Sequence, residues 1–256
     1  MKENGNERET LEFLVRNIGL IVLPKIGLLK DVSVPSKNGE LVSIKKPKDL
    51  QRFSSSDGRK KADFYLNGYG VSHKQMGSSQ LANRLQRHSL LAFLNLLGIR
   101  DAKKVSNKMD ELVKSVHYHQ TNRNKNWEQC FNLIDFKKML RYLMTQGSQN
   151  NGLSENKVDI ILTSSKVIEG VEDIKLYTFQ EYFKEFAHKI KIAIRRCWRG
   201  QFSNSEHRRA ISLGRKEGNR QWIFDNVVGE PKSGWNPNFP RRGRNTAYYF
   251  SIEQAA

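Results

Sequence analysis

The sequence predicts a mixed α/β fold, and three observations carry that expectation. Residues 61–75 read as a β-hairpin, helical periodicity occupies several stretches on either side of it, and further strand-like runs follow late in the chain, so that helices and strands interleave. In the hairpin, apolar and aromatic flanks surround Asn67-Gly68 and a second glycine, Gly70, which suit the positive-φ positions of a tight turn. Pairing Leu66 with Val71 across a four-residue loop sets Tyr65 opposite Ser72, Phe64 opposite His73 and Asp63 opposite Lys74. Ser72, two residues before Lys74, shares its face. The hairpin then groups a carboxylate, a hydroxyl and an amine, a set able to hold a divalent metal and a phosphate.

The other elements follow in order. Residues 6–17 read as a helix, with Asn6 as its cap and acidic residues near its positive end. Residues 19–60 read as irregular, with one short strand at 41–44. After the hairpin, Gly77-Ser78-Ser79 opens a helix whose leucine-rich face runs to Leu97, and Gly98 ends it. Asp101 caps a second helix carrying Val105, Met109, Leu112, Val113 and Val116, and a third runs from Trp127 to Thr145. Residues 146–152 read as a linker, 158–163 as a strand, and Phe179–Trp198 as one long helix. Strands are expected at 222–224 and 247–252. The whole reads as one domain over residues 1–256, with a helical insertion near 100–150.

Composition narrows the function. The chain has 44 basic and 26 acidic residues, a net charge of +18, which points to a polyanionic partner, nucleic acid before an anionic membrane. No run of eighteen apolar residues occurs, and Met1–Gly5 lacks the apolar core of a signal peptide. Cys130 and Cys197 form no metal-binding pattern and read as reduced thiols in a cytoplasm. From Lys189 to Arg244 there are 14 basic and 4 acidic residues, interleaved with aromatic ones, as a DNA-facing surface requires. Within it, Arg215 and Lys216 form one loop candidate. Arg241, Arg242 and Arg244 form another, with Asn245 suited to reading adenine.

Hydrolysis of a phosphodiester needs a nucleophilic water and relief of accumulating negative charge, and a carboxylate-bound Mg²⁺ supplies both. Asp63 is the candidate metal ligand and Lys74 the candidate water-orienting amine, against the plainer reading of a cross-strand salt bridge. With Ala62-Asp63 on one strand and Ser72-His73-Lys74 closing the next, the chain resembles the type II restriction endonucleases of the PD-(D/E)xK superfamily. The resemblance extends to Gly5-Asn6-Glu7-Arg8-Glu9 in the first helix and to Gln80–Gln86 in the helix expected after Lys74, about the first 100 residues. It departs at Ala62, which stands for a chemically idle proline, and at Ser72, which stands for a carboxylate and is a weaker metal ligand. Glu9 is the candidate to fill in as a second metal ligand, and Ser72 the candidate to bind a metal-bound water.

The resemblance implies a mixed central β-sheet flanked by helices, with catalytic core elements in 1–100 and a DNA-recognition segment in 189–256. It implies Mg²⁺-dependent cutting of double-stranded DNA at a specific short site, leaving a 5′-phosphate and a 3′-hydroxyl. A homodimer, a cognate DNA methyltransferase as genetic partner, and a bacterial or archaeal cytoplasm go with it. Two alternatives stand beside this reading. One is a basic nucleic-acid-binding protein without catalysis. The other is a nuclease working through His117 and His119 with Asn122 and Asn124, a makeup seen in HNH nucleases but here expected at a helix end rather than on a hairpin.

Overall fold

A computed structural model describes residues 5–36, 40–52, 61–75, 81–82, 85–118, 124–198 and 244–252. In chain order the elements begin with α1 (Gly5–Arg16), β1 (Val22–Leu23), β2 (Gly27–Leu28), β3 (Val32–Pro35), β4 (Leu41–Ser43), β5 (Phe64–Leu66) and β6 (Tyr69–Gln75). They continue with β7 (Leu85–Gln86), α2 (Leu90–Leu96), α3 (Ala102–Tyr118), β8 (Asn124–Asn126), α4 (Leu133–Arg141), β9 (Gly147–Ser148) and β10 (Gly152–Leu153). The last are β11 (Ile160–Ser164), β12 (Ile174–Tyr177), α5 (Phe179–Phe186), β13 (Ile190–Trp198) and β14 (Arg244–Ile252). The chain divides into two compact units, one from residues 1–81, 140–189 and 254–256, the other from 82–139 and 190–253. This division cuts across the expected segments 1–100, 100–150 and 189–256. Among the described residues no helix is long and apolar enough to cross a membrane.

The first unit is a mixed α/β layer. Its six-stranded sheet runs β12-β11-β6-β5-β3-β4, antiparallel throughout except where β6 and β11 pair in parallel. Leu11, Leu14 and Val15, at i, i+3 and i+4 on α1, are buried with Phe64, Leu66, Val71, Ile160 and Leu162 of the sheet. Tyr177 points the other way from its neighbour Leu176, which lies in that core, and meets Tyr182 and Phe186 of α5. Helices therefore cover both faces. Thr178 caps α5, its hydroxyl accepting the N–H of Glu181 while the Glu181 carboxylate accepts the N–H of Thr178.

The hairpin is tighter than expected. Asn67 and Gly68, at φ 49° and 85°, form a two-residue turn, and Leu66 pairs with Tyr69 rather than Val71. Asn67 is further pinned, because its Oδ1 accepts the N–H groups of Lys30 and Asp31 at 2.7 and 3.0 Å. Gly70 does not adopt a positive φ. It is glycine because a Cβ there would collide with the carbonyl oxygen of Lys157.

The second unit has a four-stranded antiparallel sheet in the order β7-β14-β13-β8, together with α2, α3 and α4. Its core includes Phe93, Met109, Trp127, Phe136, Ile192 and Phe250, with Trp127 stacked on Phe136 at 4.2 Å between ring centroids. Arg87 clamps Asp110 through two hydrogen bonds of 2.6 Å.

Three helical expectations are corrected. The helix expected over Phe179–Trp198 ends at Phe186, and after one 3₁₀ turn the chain becomes β13. Ile190, Ile192 and Ile194 alternate with period two and are buried, so strand packing outweighs helical spacing there. In the stretch expected to be helical from residue 77 to Leu97, Leu85–Gln86 is a strand paired to β14, and among the described residues only Leu90–Leu96 is α-helical. Gly98, at φ 63°, does end it. The third helix comprises a 3₁₀ turn at Trp127–Gln129, then α4, which widens into a π turn at Tyr142–Gln146. The linker expected at 146–152 holds the small β9–β10 hairpin.

Candidate active site

Asp63 lies just before β5, where its N–H donates to the Val71 carbonyl at 2.8 Å. Its carboxylate is held by the opposite strand. Oδ2 accepts the His73 N–H at 2.7 Å and the Ser72 hydroxyl at 3.3 Å. The tight turn has moved the expected register by two residues, so Asp63 faces Ser72 rather than Lys74. A slip of one would have turned the side chains to opposite faces, whereas a slip of two keeps Asp63, Ser72 and Lys74 on one face. The role expected for Ser72 changes with it. Ser72 is 3% exposed and its hydroxyl orients Asp63, so it is a positioning residue.

Lys74 is partly buried one residue from the end of β6. Two further charged side chains join this end of the hairpin. Glu7, on α1, is mostly buried. Burial, and next the negative charge of Asp63, push its carboxyl up to about 7 against the opposing pull of Lys74. Lys61 is 8% exposed and its Nζ donates to the Leu143 carbonyl at 2.8 Å, within the π turn. Burial, then repulsion from Lys74, lower its ammonium to about 8, while Asp63 works in the other direction. Glu7, Lys61, Asp63 and Lys74 thus form one electrostatically coupled group within the first unit.

Glu9 does not take the place expected of it. It is exposed on α1, about 200° around the helix from Glu7 at 100° per residue. The sequence did contain the signal for Glu7, since Glu7, Leu11 and Leu14 lie at i, i+4 and i+7 and extend one buried stripe. Lys61 was also findable, because it stands two residues before Asp63 and so on the same face of an extended chain.

His73 faces the opposite way from Ser72 and Lys74. Its Nε2 lies 2.8 Å from the Ser164 hydroxyl on β11 and 3.1 Å from the Thr10 hydroxyl on α1. Thr10 also donates to Ser164 at 3.2 Å. Burial, with a smaller contribution from the Lys74 charge, lowers the imidazole to about 4 and keeps it neutral.

Among the described residues no group of three or more His, Cys, Asp or Glu side chains is arranged as a metal cage. Two coupled carboxylates, Asp63 and Glu7, are present instead, and Mg²⁺ is commonly held by one or two carboxylates with water and substrate phosphate completing its shell. The donor set fits that ion.

The remaining expected residues belong to the second unit or lie outside the described residues. Arg215, Lys216, Arg241 and Arg242 lie outside the described residues. Arg244 and Asn245 open β14, in register with Trp198 and Cys197 of β13. His119 and Asn122 also lie outside the described residues, while His117 falls in the last turn of α3 and Asn124 begins β8. Cys130 is buried, and desolvation pushes its thiol up to about 12, which makes it inert. Compared with protein-family models, curated proteins and solved structures, the chain matches none of them.

Proposed function

We propose that this chain is a Mg²⁺-dependent endonuclease that cuts double-stranded DNA at a specific site, a restriction enzyme of PD-(D/E)xK type. The observation that carries the proposal is Asp63, anchored by Ser72 and the His73 N–H on the face it shares with Lys74. Glu7 and Lys61 add a second carboxylate and a second amine whose protonation responds to that pair. Perturbed, mutually coupled ionisable groups are characteristic of catalytic sites. The charge of +18 supports a nucleic-acid substrate.

Asp63 and Glu7 would hold the metal. Bound there, Mg²⁺ would make water more acidic and offset charge on the phosphate. Ser72 and the His73 amide fix the Asp63 carboxylate. Lys74 orients the attacking water and the phosphate. Lys61, donating to the Leu143 carbonyl, adds a second amine whose positive charge Asp63 favours and burial opposes. Water adds its oxygen to phosphorus and the P–O3′ bond breaks. The proton lost by the water reaches the 3′ oxygen through solvent, leaving a 5′-phosphate and a 3′-hydroxyl.

A restriction enzyme of this kind implies a symmetric site read by a homodimer, a protecting DNA methyltransferase, and a bacterial or archaeal cytoplasm. Plasmid digestion tests the proposal. Wild-type protein with Mg²⁺ should give discrete bands, lost with EDTA, with Asp63→Ala and with Lys74→Ala. Undiminished cutting by Asp63→Ala would overturn it. Salt-sensitive binding with no cutting under any divalent cation would leave the alternative of a non-catalytic nucleic-acid binder.

A further inference from the structure

Asp63 stands just ahead of the sheet. Strand β5 opens at Phe64, so the N–H groups of Lys61 and Ala62 have no place in the β5–β6 ladder and need acceptors elsewhere. Both find the same one. The Asn156 carbonyl accepts the Lys61 N–H at 3.3 Å and the Ala62 N–H at 3.0 Å. The Asn156 side chain reaches the chain on the other side of Asp63, where its Oδ1 accepts the Tyr65 hydroxyl at 2.9 Å. One residue, 91 positions from Tyr65 in sequence, thus brackets Asp63 from both directions.

Asn156 is itself fixed in the loop that leads from β10 to β11. Its N–H donates to Ser154 Oγ at 3.2 Å, and Ser154 is buried with its own N–H on the Gln146 carbonyl at 2.7 Å. Further along, the Val158 N–H donates to the Thr145 carbonyl at 2.9 Å. The Asp159 N–H donates to the Gly70 carbonyl at 2.8 Å, and Asp159 Oδ2 accepts the Gly70 N–H at 2.9 Å. The loop is therefore pinned to the π turn behind it and to β6 ahead of it.

Tyr65 is two residues from Asp63 in an extended chain, so its ring stands on the face that carries the Asp63 carboxylate. Burial, and next the Asp159 charge, push the Tyr65 phenol up, so it stays a donor to Asn156. Both hydrogen bonds that the Asp63 carboxylate accepts go to Oδ2. Oδ1 accepts none from a described residue, and its direction follows from how the main chain at 61–65 is held. Tyr65 and Asn156 are only half-buried, where one neutral hydrogen bond adds little to stability.

We propose that Asn156 is a positioning residue for Asp63, its carbonyl and side chain together setting the direction in which that carboxylate meets a divalent cation. This rests on the reading of Asp63 as a metal ligand. Ser72 and the His73 N–H orient the carboxylate from β6, and Asn156 fixes the strand that carries it.

The experiment titrates full-length protein with Mn²⁺, without DNA, and follows the electron paramagnetic resonance signal of the free ion. Wild type should bind the ion and Asp63→Ala should not. Asn156→Ala and Tyr65→Phe each delete the Tyr65–Asn156 hydrogen bond while leaving the Asn156 carbonyl in place. Each should weaken binding about tenfold, the low end for losing a group that orients a metal ligand. The double variant should be no weaker than either single one, because both remove the same contact. Melting temperatures should stay within a few degrees of wild type. The Mg²⁺ dependence of plasmid cutting should shift by the same factor as Mn²⁺ binding. Wild-type affinity in both single variants overturns this inference alone, and so do fully additive losses in the double variant. Mn²⁺ binding that survives Asp63→Ala, or its absence in wild type, overturns the metal reading and the inference with it. Should Asn156→Ala fail to fold, Tyr65→Phe keeps its ring, loses one oxygen and carries the same test.

Discussion

Consecutive residues of β6 lead into two buried polar clusters that are managed in opposite ways. His73 meets the hydroxyls of Thr10 and Ser164, and burial holds it neutral. Both hydroxyls that meet the imidazole are uncharged, and the three side chains are hydrogen-bonded to one another as buried polar groups usually are. Ser72 and Lys74 instead turn toward Asp63, Lys61 and Glu7, where two of the four ionisable groups are pushed toward their neutral forms. Helix α1 serves both clusters, through Thr10 and Glu7. The contrast teaches that burial in this unit does not by itself demand charge. A neutral solution exists one residue away, so the ionic cluster is retained at a cost in stability that calls for a function.

The largest expected effect separates the clusters by activity. Asp63→Asn should lower Mg²⁺-dependent plasmid cutting by about 10²–10³-fold, the usual loss when a group that stabilises the reacting centre is removed. Ser164→Ala should leave the rate within a factor of a few. Equal losses in the two would erase the distinction.

The next effect is on Glu7 and is read by stability as well as activity. Its carboxyl ionises at about 7 in the folded chain against an ordinary value of 4.5. A raised carboxyl contributes its stability below the unfolded value and loses it as pH rises through about 7. The difference amounts to about 3 kcal/mol. Urea unfolding should therefore show Glu7→Gln more stable than wild type at pH 8 and similar at pH 4.5, together with reduced cutting. Mg²⁺ should narrow the gap at pH 8 by stabilising only the wild type. A Glu7→Gln chain that is less stable at pH 8 would show that the carboxylate is satisfied there.

The shared face of Asp63, Ser72 and Lys74 was legible in the sequence, because strand alternation is insensitive to a two-residue change in turn length. The turn is two residues shorter than the loop the sequence predicts, yet Asp63, Ser72 and Lys74 stay on one face. What did not read out was the supporting layer. Glu9 is expected from its place on the first helix alone, whereas the burial of Leu11 and Leu14 marks Glu7, four and seven residues before them, as the glutamate on the packed stripe. Lys61 owes its place to the Leu143 carbonyl, 82 residues away, which no local pattern encodes. The fold was legible where periodicity was unambiguous, as in α1, β4 and β11. It failed over Ile190–Trp198, where Ile, Lys and Arg satisfy helical and strand spacing alike and pairing with β14 decides.

His73 gives the neutral cluster its own signature, opposite in pH to that of Glu7. The imidazole titrates at about 4 in the folded chain against 6.5 ordinarily. A depressed base contributes stability that is complete above 6.5 and is lost as pH falls toward about 4, again about 3 kcal/mol. His73→Gln should lower stability at pH 7 but flatten its decline between pH 6.5 and 4, measured by urea unfolding at each pH. The rate of cutting should follow the folded fraction and nothing more. A specific loss of rate in a fully folded His73→Gln chain would merge the two clusters into one site.

The smallest effects compare single groups on the two stripes of α1. Thr10→Val keeps the volume of a buried side chain and removes its hydroxyl from Ser164 and His73. The net value of such a bond is about 1 kcal/mol, so the chain should melt a few degrees lower with cutting unchanged. Glu9→Gln, on the exposed stripe, should move stability by less than about 0.5 kcal/mol and cutting not at all. The two variants together test whether the division of labour along α1 is real. If Glu9→Gln impairs cutting as Glu7→Gln does, the helix turns its other face to the substrate, and Glu9 rather than Glu7 is the carboxylate that works with Asp63.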